Sequence, residues 1–450
     1  MSLRTLVLFI FQSIVLTLPA QLTYQLDSTI LSIDVVVDSD RVDIPWEIIW
    51  GPDQRLWMTD GPLITRWDPV TDVVDTIGVR PYGNGLGMAI HPFFPQVPQI
   101  FAVFDTAEYY AAGQLCEVIR FEYDVILDTL INDTVILNYP HAGEHAGGRL
   151  TFDDTEHLLL TTADYWLTED TLGHKKGKVL RMNIDGSVPV DNPTADHTWT
   201  RGHRNPQGMT KLPNGNILIS EHGQAGNNEI NLIEPDKNYG WAVWDGNDCT
   251  FIYPDSCTST TYITEPPLYT FDEPPAGTEL YTHSLIPEFQ NKLITSILWF
   301  TGINVFKFNT SFDQITGMER YDGGAFDDMV RIRDIAILPD GSFYLITNDR
   351  MDARIRHIKK TINTVIEDPV DLTIKIWPNP VSEEFYISLD QVIDKIELLD
   401  MQGRKTNLSI EQGQMIERIN VSDIMPGLYI IRVYSKTGSH VERIVISPGD

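Results

Sequence analysis

The chain has 450 residues, a formal net charge of −30 and 42% hydrophobic residues, which leaves room for more than one domain and a large buried core. That acidity excludes nucleic acid as a natural partner, because phosphates are met by Lys and Arg. Three cysteines are few, and no set of residues has the spacing of a zinc site.

Residues 1–20 carry a lone Arg4, an apolar run from Leu6 to Leu18, and Pro19-Ala20 ahead of Gln21. They read as a signal peptide, with an apolar core too short for a good membrane anchor. One unit then recurs. Pro52-Asp-Gln-Arg-Leu-Trp-Met-Thr-Asp60 returns as Pro213-Asn-Gly-Asn-Ile-Leu-Ile-Ser-Glu221 and as Pro339-Asp-Gly-Ser-Phe-Tyr-Leu-Ile-Thr347. A copy without the proline runs from Asp153 to Thr161, and weaker candidates fall at Pro95 to Phe104 and Pro287 to Phe300. Each copy is a tight turn followed by an apolar strand, and an apolar segment such as Trp46-Glu-Ile-Ile-Trp50 stands before it. This is an antiparallel hairpin written repeatedly, with no long helical periodicity. Repeated hairpin units predict an all-β chain whose residues 21–362 form a six-bladed β-propeller of roughly 57 residues per blade.

Between these units lie the residues that carry chemistry. In His145-Ala-Gly-Gly-Arg149 a histidine precedes a glycine pair that lets a ligand approach the backbone. Asp164 follows the apolar run Leu158 to Thr162, so histidine and aspartate are expected at adjacent strand ends. A carboxylate on one imidazole nitrogen would leave the other as a base; a turn histidine is the plainer alternative. His141 and His145 are four apart, but Gly143, Gly147 and Gly148 oppose the helix a metal pair would need. Cys249 and Cys257 flank a loop with Pro254 and Asp255, which suits a local disulfide, and Cys116 reads as a buried thiol. Arg331 and Arg333, two apart on an expected strand, project from one face.

Further motifs follow in order: Gly202-His-Arg-Asn-Pro-Gln-Gly208, Ser220-Glu-His-Gly223, Asn228-Glu-Ile-Asn231, Asn238-Tyr-Gly-Trp241 and Arg331-Ile-Arg333-Asp334. With His-x-Gly-Gly-Arg, they resemble the glucose/sorbosone dehydrogenase family over about residues 45–350. The resemblance implies a six-bladed propeller with its site at the mouth of the central channel. It also implies a dehydrogenase dependent on pyrroloquinoline quinone (PQQ) and calcium, which oxidises an aldose-type sugar at C1 and passes electrons to an external acceptor. His145 would be the base and Asp164 its orienting partner. Arg204, Asn205, Arg331 and Arg333 would contact PQQ. The carbonyls of Gly223 and Gln224 would hold the calcium bridging to PQQ, and Glu229 with the Tyr239 carbonyl a second, structural calcium. Three departures stand out. Thr301, within Phe300-Thr-Gly-Ile-Asn304, is nearest to the family's cofactor-contacting lysine. Tyr82-Gly-Asn-Gly-Leu-Gly87 lacks an expected glutamine, and Asn228 stands where the family has Asp. A non-catalytic propeller binding sugar or protein, and a metal-dependent lactonase-type propeller, are the alternatives.

After Ile362 the character changes. A polar linker at 363–371 leads into residues 372–450, about 80 residues of short alternating strands that predict a small β-sandwich. Ile376-Trp-Pro-Asn-Pro380, the Gln-Gly-Arg turn at 402–404 and Met425-Pro-Gly-Leu-Tyr429 resemble the sorting domain read by the type IX secretion machinery of Bacteroidota. That resemblance implies a secreted or cell-surface protein, with no transmembrane anchor in the mature form. An adhesive or carbohydrate-binding sandwich is the alternative.

Overall fold

Turn residues set before apolar, partly β-branched strands favour hairpins, and hairpins dominate the computed structural model. It describes residues 22–106, 114–164, 174–224, 226–250, 253–260, 262–349, 352–361, 374–388, 392–400, 405–406, 416–435 and 438–448. The expected signal peptide, the linker and the Gln-Gly-Arg turn lie outside the described residues. Regular structure is strand, apart from helical turns at Pro254–Cys257 and Gly324–Phe326. No described helix is long and apolar enough to cross a membrane. The chain divides into two compact units, Met1–Thr361 and Ile362–Asp450.

Among the described residues, the first unit contains six antiparallel sheets of four or five strands. Their first strands are Pro45–Trp50, Gly85–Ile90, Gly147–Phe152, Pro206–Lys211, Pro275–Tyr281 and Ile332–Ile337. Each repeated segment seen in the sequence supplies the turn and second strand of one sheet, as in Leu56–Asp60, Ile217–Glu221 and Phe343–Thr347. The first strands touch one another in chain order, and the sixth returns to the first. In the sixth sheet, Ile30–Val37 pairs with Arg354–Lys360, with Ile33 opposite Ile358, so early and late segments close the ring together.

Apolar cores lie between neighbouring sheets. Phe101 and Val103 of the second meet Leu158 and Leu160 of the third, and Ile294 and Val305 of the fifth meet Phe343 and Leu345 of the sixth. Cys249 and Cys257 form a disulfide, while Cys116 is a buried free thiol. Burial pushes that thiol up to about 12, which makes it inert.

In the second unit, Lys375–Trp377, Glu384–Ser388 and Ile416–Asn420 form one sheet, and Ile393–Asp400, Gly427–Ser435, Gly438–Ile446 and Lys405–Thr406 another. Phe385 and Ile387 of the first share one core with Leu398, Ile431 and Ile444 of the second.

Candidate active site

Every first strand has a break in register close to its start: Pro45/Glu47, Gly85/Met88, Gly147/Leu150, Pro206/Gly208, Pro275/Thr278 and Ile332/Asp334. A β-bulge re-aims the side chain it frees from the ladder. Trp46, Leu86, Gln207 and Arg333 sit within such breaks, and all four line one cavity of about 420 Å³. In an antiparallel hairpin the second strand ends where the first begins, so Asp105, His222, Leu298, Trp299 and Asn348 complete the wall, with His141, Glu144 and His145 from the loop before the third sheet. A larger cavity of about 710 Å³ occupies the opposite ends of the first strands. Its described lining includes Glu47 and Glu279 but no histidine or arginine, whereas the smaller cavity gathers His141, His145, Arg331 and Arg333, all singled out in the sequence.

Gly147 pairs with Thr162, and this register sets His145 across from Asp164. The His145 imidazole hydrogen-bonds to the backbone of Asp164, and because the contact favours the protonated ring, it is the ring N–H that donates to the Asp164 carbonyl; the Asp164 N–H in turn donates to the Arg204 carbonyl at 2.8 Å. Burial first, then the Arg204 charge and the neighbouring His222, push the His145 imidazole down to about 3, so it is neutral at pH 7. His222 is similar. Its Nε2 lies 2.6 Å from the Pro275 carbonyl, which can only accept, so Nε2 carries the proton. Burial, with Arg333, Arg204 and Arg331 nearby, pushes it down to about 4. The glycine pair has a different reason from the open space expected of it. At Gly147 (φ +63°) a Cβ would meet the Thr161 carbonyl at 2.7 Å, and at Gly148 (φ +96°) Leu86 Cδ1 at 2.9 Å. Backbone conformation and strand packing require both.

Arg149 and Arg333 both lie against the Trp46 ring, at 4.3 and 4.2 Å from its centroid, but their charges are answered differently. Arg149 is paired with Glu47 (2.7 Å) and Asp334 (2.8 Å), and donates to the carbonyls of Gln207 (2.6 Å) and Arg333 (3.1 Å). Arg333, 6% exposed, donates to the Gln207 side-chain oxygen at 2.7 Å. It has no carboxylate partner among the described residues, and its buried Nε has no acceptor. Burial, with Arg149 and Arg331 alongside, lowers its pKa well below the ordinary arginine value. Arg331, on the same wall, is held at φ +58°, a conformation costly for a non-glycine residue and concentrated at functional sites. Its Nε donates to Asn348 at 3.3 Å. Asn205 lines the cavity and accepts from Gln207 at 2.9 Å. Arg204, also expected at PQQ, is outside this lining; it donates to the His222 carbonyl at 3.0 Å with its guanidinium over Trp241. A cavity lined by a desolvated guanidinium with no ion-pair partner among the described residues suits an anionic ligand.

The four residues expected at calcium lie outside this lining. The N–H groups of Gly223 and Gln224 donate to Asn228 (3.2 Å) and Asp245 (2.8 Å). Glu229 accepts from the Gly246 N–H (2.6 Å) and Asn231 (2.8 Å). Burial and the adjacent Glu221 push it up to about 8. Tyr239 stacks on His203 at 4.9 Å. No described group of three or more His, Cys, Asp or Glu residues is arranged to hold a metal. Asn228 donates to the carbonyls of Phe271 (3.1 Å) and Asp272 (2.9 Å), bonds that an aspartate could not donate.

Sequence reasoning quoted the segments holding Trp46, Arg149, Gln207, His222 and Asp334 without assigning them roles at the site. At the departure from the family's lysine, Thr301 is half-buried, and Leu298 and Trp299 line the cavity instead.

Residues 42–357 match the glucose/sorbosone dehydrogenase family, and residues 375–447 the secretion system C-terminal sorting domain. The chain is 30% identical over 344 residues to the aldose sugar dehydrogenase YliI of Escherichia coli K12, covering 71% of this chain and 91% of that protein. It is 33% identical over 248 residues to quinoprotein glucose dehydrogenase B of Acinetobacter calcoaceticus, covering 46% and 52%. The solved PQQ-bound aldose sugar dehydrogenase of Streptomyces coelicolor superposes with a TM-score of 0.60 at 21% identity, over 74% of this chain and 98% of that one.

Proposed function

The chain belongs to the glucose/sorbosone dehydrogenase family, and we propose that it is an exported PQQ- and calcium-dependent dehydrogenase that oxidises an aldose-type sugar at C1. In this reading the six sheets are the blades of a β-propeller spanning residues 21–362. The 372–450 unit is a β-sandwich serving as an export address for the type IX machinery, and 363–371 link the two.

The observation that carries the reading is the buried Arg333 guanidinium. It has an acceptorless Nε and no described carboxylate partner, beside the strained Arg331 and on the same cavity as a neutral histidine. Buried charges are ordinarily paired, so this one calls for an anionic ligand, and PQQ is a flat tricarboxylate. Arg331 and Arg333 would hold its carboxylates, with the nearby Arg204, whose charge reaches His145 and His222, adding to the positive field. Trp46, Asn205 and Gln207, which line the same cavity, would contact it. Bound PQQ supplies a two-electron acceptor for hydride. The protein's task is orientation and proton removal. His145, neutral at pH 7, takes the C1 hydroxyl proton on the ring nitrogen not engaged by Asp164, and Asp164 fixes the tautomer from the facing strand end.

Calcium fits beside this site as a cation held largely by carbonyl oxygens, of which Gly223 and Gln224 offer two. Glu229 with the Tyr239 carbonyl suits a second ion: a carboxylate raised to about 8 by burial and then by the adjacent Glu221 is one that a cation would bring back to its charged form.

Full-length protein mixed with PQQ and calcium is expected to gain quinone absorbance and to reduce an artificial acceptor with aldoses. Failure to bind PQQ in calorimetry, together with no dye reduction across a sugar panel, refutes the reading. Binding without turnover supports the non-catalytic propeller, which replacement of the family lysine by the Thr301 segment favours.

A further inference from the structure

Leu298-Trp-Phe-Thr-Gly302 joins the second and third strands of the fifth sheet, Lys292–Ile297 and Ile303–Phe308. The equivalent ends in the other sheets are polar: Asp60, Asp105, Asp164, His222 and Asn348. Only this turn places two aromatic side chains there among the described residues, and Trp299 is 71% and Phe300 52% exposed. Large aromatics left in water beside a cavity mark a binding surface. Phe300 is steadied by the Arg320 guanidinium, 5.7 Å from its ring centroid, and Arg320 is itself held by Glu273 (2.8 Å) and Asp322 (3.0 Å). Trp299 lines the cavity that contains His145.

We propose that Trp299 is the stacking platform of an additional sugar subsite, so that the substrate is an oligosaccharide with a free reducing end. This rests on the dehydrogenase reading above. The cavity, about 420 Å³, lies near the low end of small-molecule sites, which suits a cofactor and one sugar ring. A second ring must therefore lie at the rim, where Trp299 stands. A pyranose offers an apolar C–H face with hydroxyls around its edge. An indole covers the face, while Asp105, Glu144 and Asn348, which line the same cavity, accept from hydroxyls.

The test uses the full chain loaded with PQQ and calcium, with glucose, maltose and maltotriose as substrates. Wild-type protein should favour the longer sugars through KM. In Trp299→Ala the ratio of kcat/KM for maltotriose over glucose should fall about tenfold, equivalent to about 1.4 kcal/mol, again through KM. Trp299→Phe should keep most of the preference. An unchanged ratio in Trp299→Ala overturns the subsite. If wild-type protein oxidises no sugar, calorimetric titration with maltotriose decides. Binding that Trp299→Ala abolishes upholds the platform while the dehydrogenase reading falls, and no binding by wild-type protein overturns the platform as well.

Discussion

Replacing Arg149 by methionine isolates what the buried charge network contributes. The methionine keeps an apolar stem against Trp46 but removes the contacts to Glu47, Asp334 and the carbonyls of Gln207 and Arg333. Those partners lie on the first, fourth and sixth first-strands, so one side chain ties the third sheet to three others. Asp334 keeps its bond from the Ile48 N–H at 2.7 Å, but Glu47 is left buried without its cation. Breaking a buried pair by removing one partner costs about 3–5 kcal/mol, and a loss of that size is expected at pH 7 in urea denaturation of the full chain. The pH dependence has a definite sign. Burial already raises Glu47 well above the ordinary carboxylate range, and Arg149 opposes this, so the variant raises its folded pKa further. A group raised on folding contributes its stability below its unfolded pKa and loses it as pH rises through the folded one. The gap between wild type and Arg149→Met should therefore shrink from pH 8 to pH 5. Adding Glu47→Gln should recover part of the loss, because the two sites are coupled. A loss below about 1 kcal/mol, or a gap that widens on acidification, refutes the reasoning.

His145→Ala should lower kcat at least about 100-fold while calorimetric PQQ binding persists, because in the proposed mechanism the imidazole would act on the substrate proton and the arginines on the cofactor; retention of more than about a tenth of wild-type turnover removes His145 as the base. A chain truncated after Ile362 should fold, take up PQQ and accumulate in the periplasm, since domains joined by a polar linker carry their own cores. The mature extracellular protein should lack most of residues 372–450. Truncated protein found outside the cell at normal levels refutes the sorting role.

What was legible in the sequence is local, and what was not is long-range. Turn chemistry at Pro52, Pro213 and Pro339 acts over a few residues, so the hairpins could be read directly. The network at the cavity joins partners 102, 126 and 286 residues apart, in Arg149–Glu47, Arg333–Gln207 and Ile48–Asp334, and no periodicity reports such pairings. For the same reason Arg149 and Arg333 look alike as residues, although one is ion-paired with two carboxylates and the other donates to an amide oxygen and lies against Trp46. One signal at the site was nevertheless local and went unread. Gly85-Leu-Gly87, Pro206-Gln-Gly208 and Pro275-Ala-Gly277 open three of the first strands with the same pattern, and a register break falls on each. A Cβ at the third position would approach the next first strand too closely, the Gly148 carbonyl at 2.1 Å from Gly87, Thr278 Oγ1 at 2.1 Å from Gly208 and Asp334 Oδ1 at 2.2 Å from Gly277. The glycine lets the ring of strands close, and the bulge before it frees the middle residue for the cavity. Leu86 and Gln207 are two such middle residues on the cavity wall. The motif that brings the sheets together therefore also decides which side chains the cavity receives, so fold and site are specified by the same few positions.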